Sequence, residues 1–120
     1  MSGVEWLVEA FDCRSTALKD LVRLRRLLDD MVADLGLHPV GEALWHRFPA
    51  PGGVTGLCLL AESHFACHTF PEHASMTINL FCCQPRPDWD FESYLEREFG
   101  AARVAVRKFA REYAMAEAAA

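Results

Sequence analysis

Four strand-like segments follow one another between two helix-like segments, and this order limits the possible folds more than any other feature of the chain. They cover residues 40–48, 54–61, 65–70 and 76–83. The first gap between them reads Pro-Ala-Pro-Gly-Gly, which cannot continue regular strand pairing and is therefore a turn. Two further strands, residues 4–11 and 103–109, are predicted near the two ends of the chain. Such a run of strands predicts a largely antiparallel sheet.

Helical periodicity marks two segments. Apolar residues recur at near-helical spacing over residues 16–35, with Asp12 and Ser15 as candidate caps, and a glycine follows the last of them. Residues 89–99 form a second predicted helix, with Asp88 as its candidate cap and a glycine after it. The order β-α-β-β-β-β-α-β predicts an α+β two-layer sandwich in which both helices cover one face of the sheet.

The second face of this sheet is also expected to be buried. The segment 54–61 reads as a nearly continuous buried strand, so the central strands are apolar on both sides. The 120 residues fit a single domain, which leaves no second domain to bury that face. We therefore expect a homodimer in which a second copy of the chain covers it.

Charge and hydropathy argue against several classes of function. Lys and Arg number 12 against 17 Asp and Glu, a net charge of −5, so nothing offsets the repulsion that nucleic-acid phosphates would exert. The longest central apolar run, residues 54–61, is too short to span a bilayer. The N-terminal segment lacks the basic region of a secretory signal. We expect a cytoplasmic protein with no nucleic-acid or membrane partner.

Reactive side chains crowd into the centre of the chain. They are Glu62, Ser63, His64, Cys67, His68, Glu72, His73, Cys82 and Cys83. Residue types alone leave three explanations open: a zinc site, a Cys/His nucleophile pair, or a buried strand with inert cysteines. Zinc is disfavoured because the paired short spacings of structural sites are absent. The buried-strand explanation is weakened because each polar group in an apolar hairpin needs a buried partner.

The succession of these residues resembles a known family. The chain reads LAESH over residues 60–64, HTFPE over residues 68–72 and LFCC over residues 80–83. It resembles the bacterial and archaeal S-adenosylmethionine decarboxylases, whose pattern is ESH, then HTWPE, then D-x-F-T-C-G. The GVTG of residues 53–56 and the HRF of residues 46–48 also fit the family. With the flanking strand-helix and helix-strand units, the resemblance spans nearly the whole chain.

The resemblance implies a self-processing, pyruvoyl-dependent decarboxylase that acts on S-adenosylmethionine in spermidine biosynthesis. The Oγ of Ser63 would attack the carbonyl of Glu62 to form an ester, and elimination would divide the chain into residues 1–62 and 63–120. Position 63 would then carry an N-terminal pyruvoyl group. Its ketone joins the substrate amine as a Schiff base and takes up the electrons left when carbon dioxide departs. Neither pyridoxal phosphate nor a metal is implied.

The resemblance also assigns roles in processing and turnover. His68 matches the base that removes a proton during elimination, and Thr55 matches a hydroxyl assigned to the intermediate. Cys83 matches the cysteine that returns a proton to the substrate α-carbon. Its neighbour Cys82 replaces a threonine of the family, and strand alternation predicts that the two cysteines point to opposite faces.

Substrate contacts follow from the same resemblance, together with departures from it. Glu72 matches a glutamate that binds ribose hydroxyls, and Phe48 and Phe70 match aromatic residues that stack on adenine. Phe70 stands where the family has Trp, residues 73–77 replace a segment rich in Tyr, Gly and Ala, and Asn79 replaces an Asp. These departures leave the substrate more open than the processing. The alternatives are an arginine or ornithine decarboxylase on the same scaffold, or a non-processing, non-catalytic relative.

Overall fold

Six strands form one sheet in the computed structural model, which describes residues 2–115 of the chain. In chain order they are β1 (Ser2–Phe11), β2 (Leu44–Arg47), β3 (Val54–Leu60), β4 (Ser63–Phe70), β5 (Ser75–Cys82) and β6 (Arg103–Glu112). Their spatial order is β2-β3-β4-β5-β1-β6, and each neighbouring pair is antiparallel. The predicted antiparallel sheet with four consecutive strands is confirmed, and β4 lies near its middle.

The described residues also form three α-helices. They are α1 (Ser15–Leu18), α2 (Leu21–Leu35) and α3 (Phe91–Phe99). No helix in this part of the chain has the length and apolar character that a membrane crossing requires.

The prediction of one continuous helix over residues 16–35 is wrong. The chain leaves helical geometry at Asp20, whose carboxylate accepts a hydrogen bond from the Arg23 N–H at 3.2 Å and so caps α2. Neither predicted cap occupies the N-cap position of α1: that residue is Arg14, and Ser15 is already the first residue of the helix, with Asp12 two residues before the cap position. Apolar periodicity did not reveal this break, because α1 and α2 both bury their apolar residues in the same core.

The start of the second predicted helix is also wrong, by two residues. α3 begins at Phe91, and the Asp90 carboxylate caps it by accepting the N–H of Ser93 at 3.0 Å. Asp88, the predicted cap, instead pairs with Lys108 Nζ at 2.7 Å. Both aspartates are good capping residues, so composition alone did not distinguish them.

One face of the sheet packs against the helices and forms the core. β1 shows the pattern, because Val4, Trp6, Val8 and Ala10 alternate as buried residues along it. The largest buried side chains come from strands and helices together: Trp6, Phe65, Phe91, Phe99, Leu24 and Leu27. The predicted α+β architecture, with helices on one face of the sheet, is confirmed.

The opposite face, called the open face below, is uncovered in the single chain. The expectation that β3 is buried on both sides is therefore wrong for one chain: Leu57 is 50% and Leu59 60% exposed. The predicted strand over residues 40–48 is also shorter than expected. β2 keeps only four residues. Before it, Pro39 makes an isolated bridge to Leu60 of β3, and Gly41, with a φ of 77°, bends the chain between that bridge and β2.

Candidate active site

The tight turn between β3 and β4 holds the predicted cleavage point. Ser63 is the first residue of β4 and has a φ of 152°. Residues with a side chain rarely adopt this backbone region, because the Cβ crowds the neighbouring peptide groups. Local strain is therefore stored at the residue whose preceding peptide bond the sequence predicts to break.

The carbonyl of that peptide bond faces a hydrogen-bond donor. The backbone N–H of Cys83 donates to the carbonyl oxygen of Glu62 at 2.7 Å. The donor is positioned by the pairing of β4 with β5, which sets Cys82 opposite Ser63 and leaves Cys83 just beyond the ladder. An N–H at this place can stabilise negative charge that develops on the oxygen when a nucleophile attacks the carbonyl carbon. We call Glu62, Ser63 and Cys83 the Ser63 cluster.

The side chain of Glu62 is anchored from two directions. It accepts the backbone N–H of His38 at 2.9 Å, and its second oxygen lies 2.6 Å from His38 Nδ1 and 3.4 Å from the Arg86 guanidinium. Burial acts to raise the pKa of Glu62, but the hydrogen bonds from His38 outweigh it and hold that pKa below its ordinary value. Neither His38 nor Arg86 was predicted, since each lies more than twenty residues from Glu62 and outside every motif.

The two adjacent cysteines occupy different environments. Cys82 is fully buried on the helix side of the sheet, and burial raises the pKa of its thiol to about 11, which keeps it protonated. Cys83 is partly exposed, and its carbonyl accepts a hydrogen bond from the Tyr113 hydroxyl. Among the described residues no three His, Cys, Asp or Glu side chains group closely enough to hold a metal ion.

The other predicted residues meet at the far end of β4. They line one groove of about 480 Å³, and we call them the His68 cluster: Phe48, Thr55, His68, Phe70 and Glu72. Thr55 and His68 are register partners on β3 and β4, and Thr55 Oγ1 lies 3.1 Å from His68 Nδ1. When the Nδ1–H donates to the hydroxyl, Nε2 carries a lone pair and can accept a proton.

The groove suits a flat ligand that carries hydroxyl groups. Phe48 and Phe70 are 49% and 38% exposed, so their rings can pack against an aromatic base. Glu72 is exposed on the 3-10 turn Pro71–His73 beside them, where its carboxylate can accept two hydroxyl donors.

Thr69 of the HTFPE segment has a structural role that sequence reasoning missed. Its hydroxyl is buried, donates to the carbonyl of Leu18 at 2.8 Å and accepts the N–H of Val54 at 2.9 Å. A side chain at Gly53 would collide with the carbonyl oxygen of Thr69, 2.6 Å from the position of a Cβ. These contacts fix β3 against β4 and so hold the His68 cluster in place.

Asn79 links β5 to the neighbouring strands between the two clusters. Its amide nitrogen donates to Glu5 at 2.8 Å, so its oxygen must accept the Nε2–H of His64 at 2.7 Å. This hydrogen bond from Asn79 is the main reason that the pKa of Glu5 is lowered, with Arg111 adding to the effect and burial opposing it. An aspartate at position 79 would instead face the Glu5 carboxylate, so the departure from the family pattern removes a like-charge contact.

The Ser63 and His68 clusters do not meet within one chain. Ser63 and His68 lie five residues apart on β4, which at 3.3 Å per residue is about 17 Å. Direct proton transfer needs hydrogen-bond distance, so the His68 of a chain cannot act on its own Ser63. The structure thus gathers the predicted site residues into two groups.

Known proteins resemble the chain in both sequence and structure. Residues 4–112 match the family model described as S-adenosylmethionine decarboxylase. The S-adenosylmethionine decarboxylase proenzyme of Prochlorococcus marinus is 37% identical over 114 residues, which cover 93% of this chain and 89% of that protein. The proenzyme of Carboxydothermus hydrogenoformans is 31% identical over 110 residues, which cover 91% and 85%.

One solved structure shows the same fold. The crystal structure of the adenosylmethionine decarboxylase from Aquifex aeolicus superposes with a TM-score of 0.77 and covers 98% of this chain and 96% of that one. At 24% sequence identity, this likeness bears on the fold alone.

Proposed function

The chain belongs to the S-adenosylmethionine decarboxylase family, as its sequence predicted, and we propose that it is a self-processing, pyruvoyl-dependent decarboxylase of S-adenosylmethionine. The related curated proteins are named proenzymes, a term for a precursor chain. The observation that carries the proposal is the peptide bond between Glu62 and Ser63, where a positive φ and an N–H donor at the carbonyl coincide. We place the enzyme in the cytoplasm, in keeping with its five free cysteines.

Processing begins with an acyl shift. The Ser63 Oγ attacks the Glu62 carbonyl carbon, and the Cys83 N–H stabilises the oxyanion. The C–N bond then breaks, the Ser63 nitrogen takes up a proton, and an ester joins Glu62 to the Ser63 side chain. Replacing the peptide bond by an ester releases the backbone restraint at Ser63 and so favours the shift.

Elimination completes the processing. A base removes the Ser63 Cα proton, the Cβ–O bond breaks, and Glu62 leaves with the electron pair as a carboxylate. Residue 63 is now a dehydroalanine whose amine tautomerises to an imine, and water releases ammonia to leave the pyruvoyl group. His68, with Thr55 on its Nδ1, is the base that the family pattern assigns to this step. The pyruvoyl ketone supplies an acceptor for the electron pair left by carbon dioxide.

We infer that each site is assembled from two chains, because His68 lies about 17 Å along β4 from its own Ser63. A two-fold axis across the open face would bring the His68 cluster of one protomer to the Ser63 cluster of its partner. The exposed apolar side chains of Leu44, Leu57 and Leu59 on the open face support such burial.

In turnover the two clusters would have different functions, substrate binding and proton donation. The His68 cluster binds the nucleoside, with Phe48 and Phe70 against the base and Glu72 on the ribose hydroxyls. In the Ser63 cluster the thiol of Cys83 protonates the substrate α-carbon after carbon dioxide has left.

Intact mass under denaturing conditions tests the proposal. The wild-type chain should separate into residues 1–62 and a pyruvoyl-bearing 63–120 and should release carbon dioxide from S-adenosylmethionine, with arginine and ornithine assayed beside it. Ser63→Ala should remain one chain without activity, whereas Ser93→Ala on α3 should behave as wild type. A wild-type chain that stays whole and carries no borohydride-trappable carbonyl would refute the proposal. Release from arginine or ornithine instead would reassign the substrate.

A further inference from the structure

Arg86 lies near the Ser63 cluster with its side chain 24% exposed, and the processing scheme gives it no role. It lies in the loop between β5 and α3, with its guanidinium 3.4 Å from the Glu62 carboxylate. Its Nε is buried and has no hydrogen-bond partner among the described residues. A buried charged donor without an acceptor is costly, so an acceptor in another state of the molecule is expected.

Cleavage creates such an acceptor at the neighbouring residue. The carbonyl carbon of Glu62 becomes an α-carboxylate, which adds a second negative charge to a residue whose side chain is already ionised. His38 holds that side chain through two hydrogen bonds, so the new chain end remains close to where it forms. A guanidinium can bind a carboxylate through two parallel N–H donors, which an ammonium cannot do.

We propose that Arg86 receives the α-carboxylate of Glu62 as it leaves Ser63, and so promotes the elimination step of processing. The proposal rests on the self-processing described above and adds to it a residue that binds the leaving carboxylate. When the base removes the Ser63 Cα proton and the Cβ–O bond breaks, the electron pair moves to the Glu62 carboxylate. Arg86 stabilises the charge at that moment and then retains the end of residues 1–62. It does not act on the earlier acyl shift, where the charge lies on the oxygen bound by Cys83.

The proposal makes the ester a detectable intermediate. Hydroxylamine cleaves the ester and leaves residue 63 as an intact serine, whereas elimination leaves a pyruvoyl group, so mass spectrometry distinguishes the two. In Arg86→Gln we expect elimination to be slowed about 10- to 100-fold, the loss of one hydrogen bond to a charged group, and the ester to accumulate. Arg86→Lys keeps the charge without the two parallel donors and should show an intermediate rate. Arg97→Gln, with the same loss of charge on the exposed side of α3, should process as wild type.

Each outcome separates this proposal from the one on which it rests. A wild-type chain that never cleaves refutes self-processing itself. A wild-type chain that cleaves while Arg86→Gln cleaves equally fast, or accumulates uncleaved amide rather than ester, overturns the role of Arg86. Thermal unfolding of Ser63→Ala with and without Arg86→Gln shows whether the substitution unfolds the chain. If it does, Arg86→Lys decides, because ester accumulation in that variant supports the proposal and wild-type rates overturn it.

Discussion

The two ends of β4 carry different kinds of site. At the Ser63 end the backbone is strained, the Glu62 carbonyl has a donor and the neighbouring carboxylate is anchored to His38. At the other end the His68 cluster is an open groove of exposed aromatic rings and a solvent-facing carboxylate. In the proposed function, the first end undergoes the acyl shift, and the second binds the substrate and supplies the base for elimination.

The proposed function requires a 120-residue chain both to process itself and to bind a substrate, and this difference would allow both. The Ser63 cluster needs a rigid backbone and is set into the paired strands, whereas the His68 cluster needs space and is left uncovered. Separating them by five residues of one strand lets each keep its own environment. In the proposed function, the base and the serine of one catalytic site would therefore come from different chains.

The largest expected effect is complementation between two inactive variants. Ser63→Ala and His68→Ala homodimers should each remain unprocessed. After both chains are co-expressed, the His68→Ala chain should be cleaved, because its Ser63 meets the His68 of its partner. Intact mass, with a tag on one chain, measures which chain is cut.

Two outcomes would contradict a site built from two chains. The first is cleavage of the His68→Ala chain when it is expressed alone. The second is absence of cleavage in a co-expressed heterodimer whose formation has been verified by the tag. As a control, Ser93→Ala paired with Ser63→Ala should show cleavage of the Ser93→Ala chain.

Substituting the two adjacent cysteines one at a time should distinguish a catalytic role of Cys83 from a packing role of Cys82. Cys83→Ala should still process, because its backbone N–H remains, but decarboxylation should fall by about 100-fold or more through loss of the proton donor. Cys82→Ala should retain turnover and lose about 1 kcal/mol of unfolding free energy, since it leaves a cavity in the core. Carbon dioxide release measures turnover, and denaturant-induced unfolding measures the free energy of unfolding. Loss of turnover in Cys82→Ala but not in Cys83→Ala would exchange the assignments.

Much of the fold could be predicted from the sequence because strand alternation and helical periodicity record which face is buried. The predicted order of strands and helices agrees with the structure, except that the first predicted helix is divided into α1 and α2. The break at Asp20 was missed because a cap and a surface aspartate look alike in a helical pattern. The exposure of Leu57 and Leu59 was missed because the sequence of an apolar strand does not show whether its face is buried within one chain or by a second chain.

For the site, the motifs predicted a set of candidate residues but not how far apart they lie. The pairing of Thr55 with His68 follows from a register that only the folded sheet defines. The anchor on Glu62 comes from His38 and Arg86, which no local pattern connects to it. The strain at Ser63 depends on the turn geometry, and serine is not a residue that signals a positive φ.

At the ligand-binding end, Glu72→Gln should alter binding without altering cleavage. A neutral amide accepts ribose hydroxyls more weakly, so KM for S-adenosylmethionine should rise about 10- to 100-fold. The two processed chains should form at the wild-type rate, because Glu72 takes no part in the proposed acyl shift or elimination. Steady-state kinetics measure KM and intact mass measures cleavage, with Glu96→Gln on α3 as the control. Slow processing in Glu72→Gln would contradict a role limited to substrate binding.

The smallest effect concerns the pH dependence of stability at the Ser63 end. Because the folded-state pKa of Glu62 lies below its ordinary value of 4.5, its ionised form stabilises the fold above pH 4.5, and that contribution is lost as the pH falls through the lower, folded value. In the unprocessed Ser63→Ala chain, adding Glu62→Gln should lower Tm by a few degrees at neutral pH, and the difference should close in acid. Adding Glu96→Gln instead should leave the curve in place. A Tm difference between the Glu62→Gln chain and its parent that is constant at every pH would mean that the side chain contributes packing and that the His38 anchor contributes no electrostatic stability.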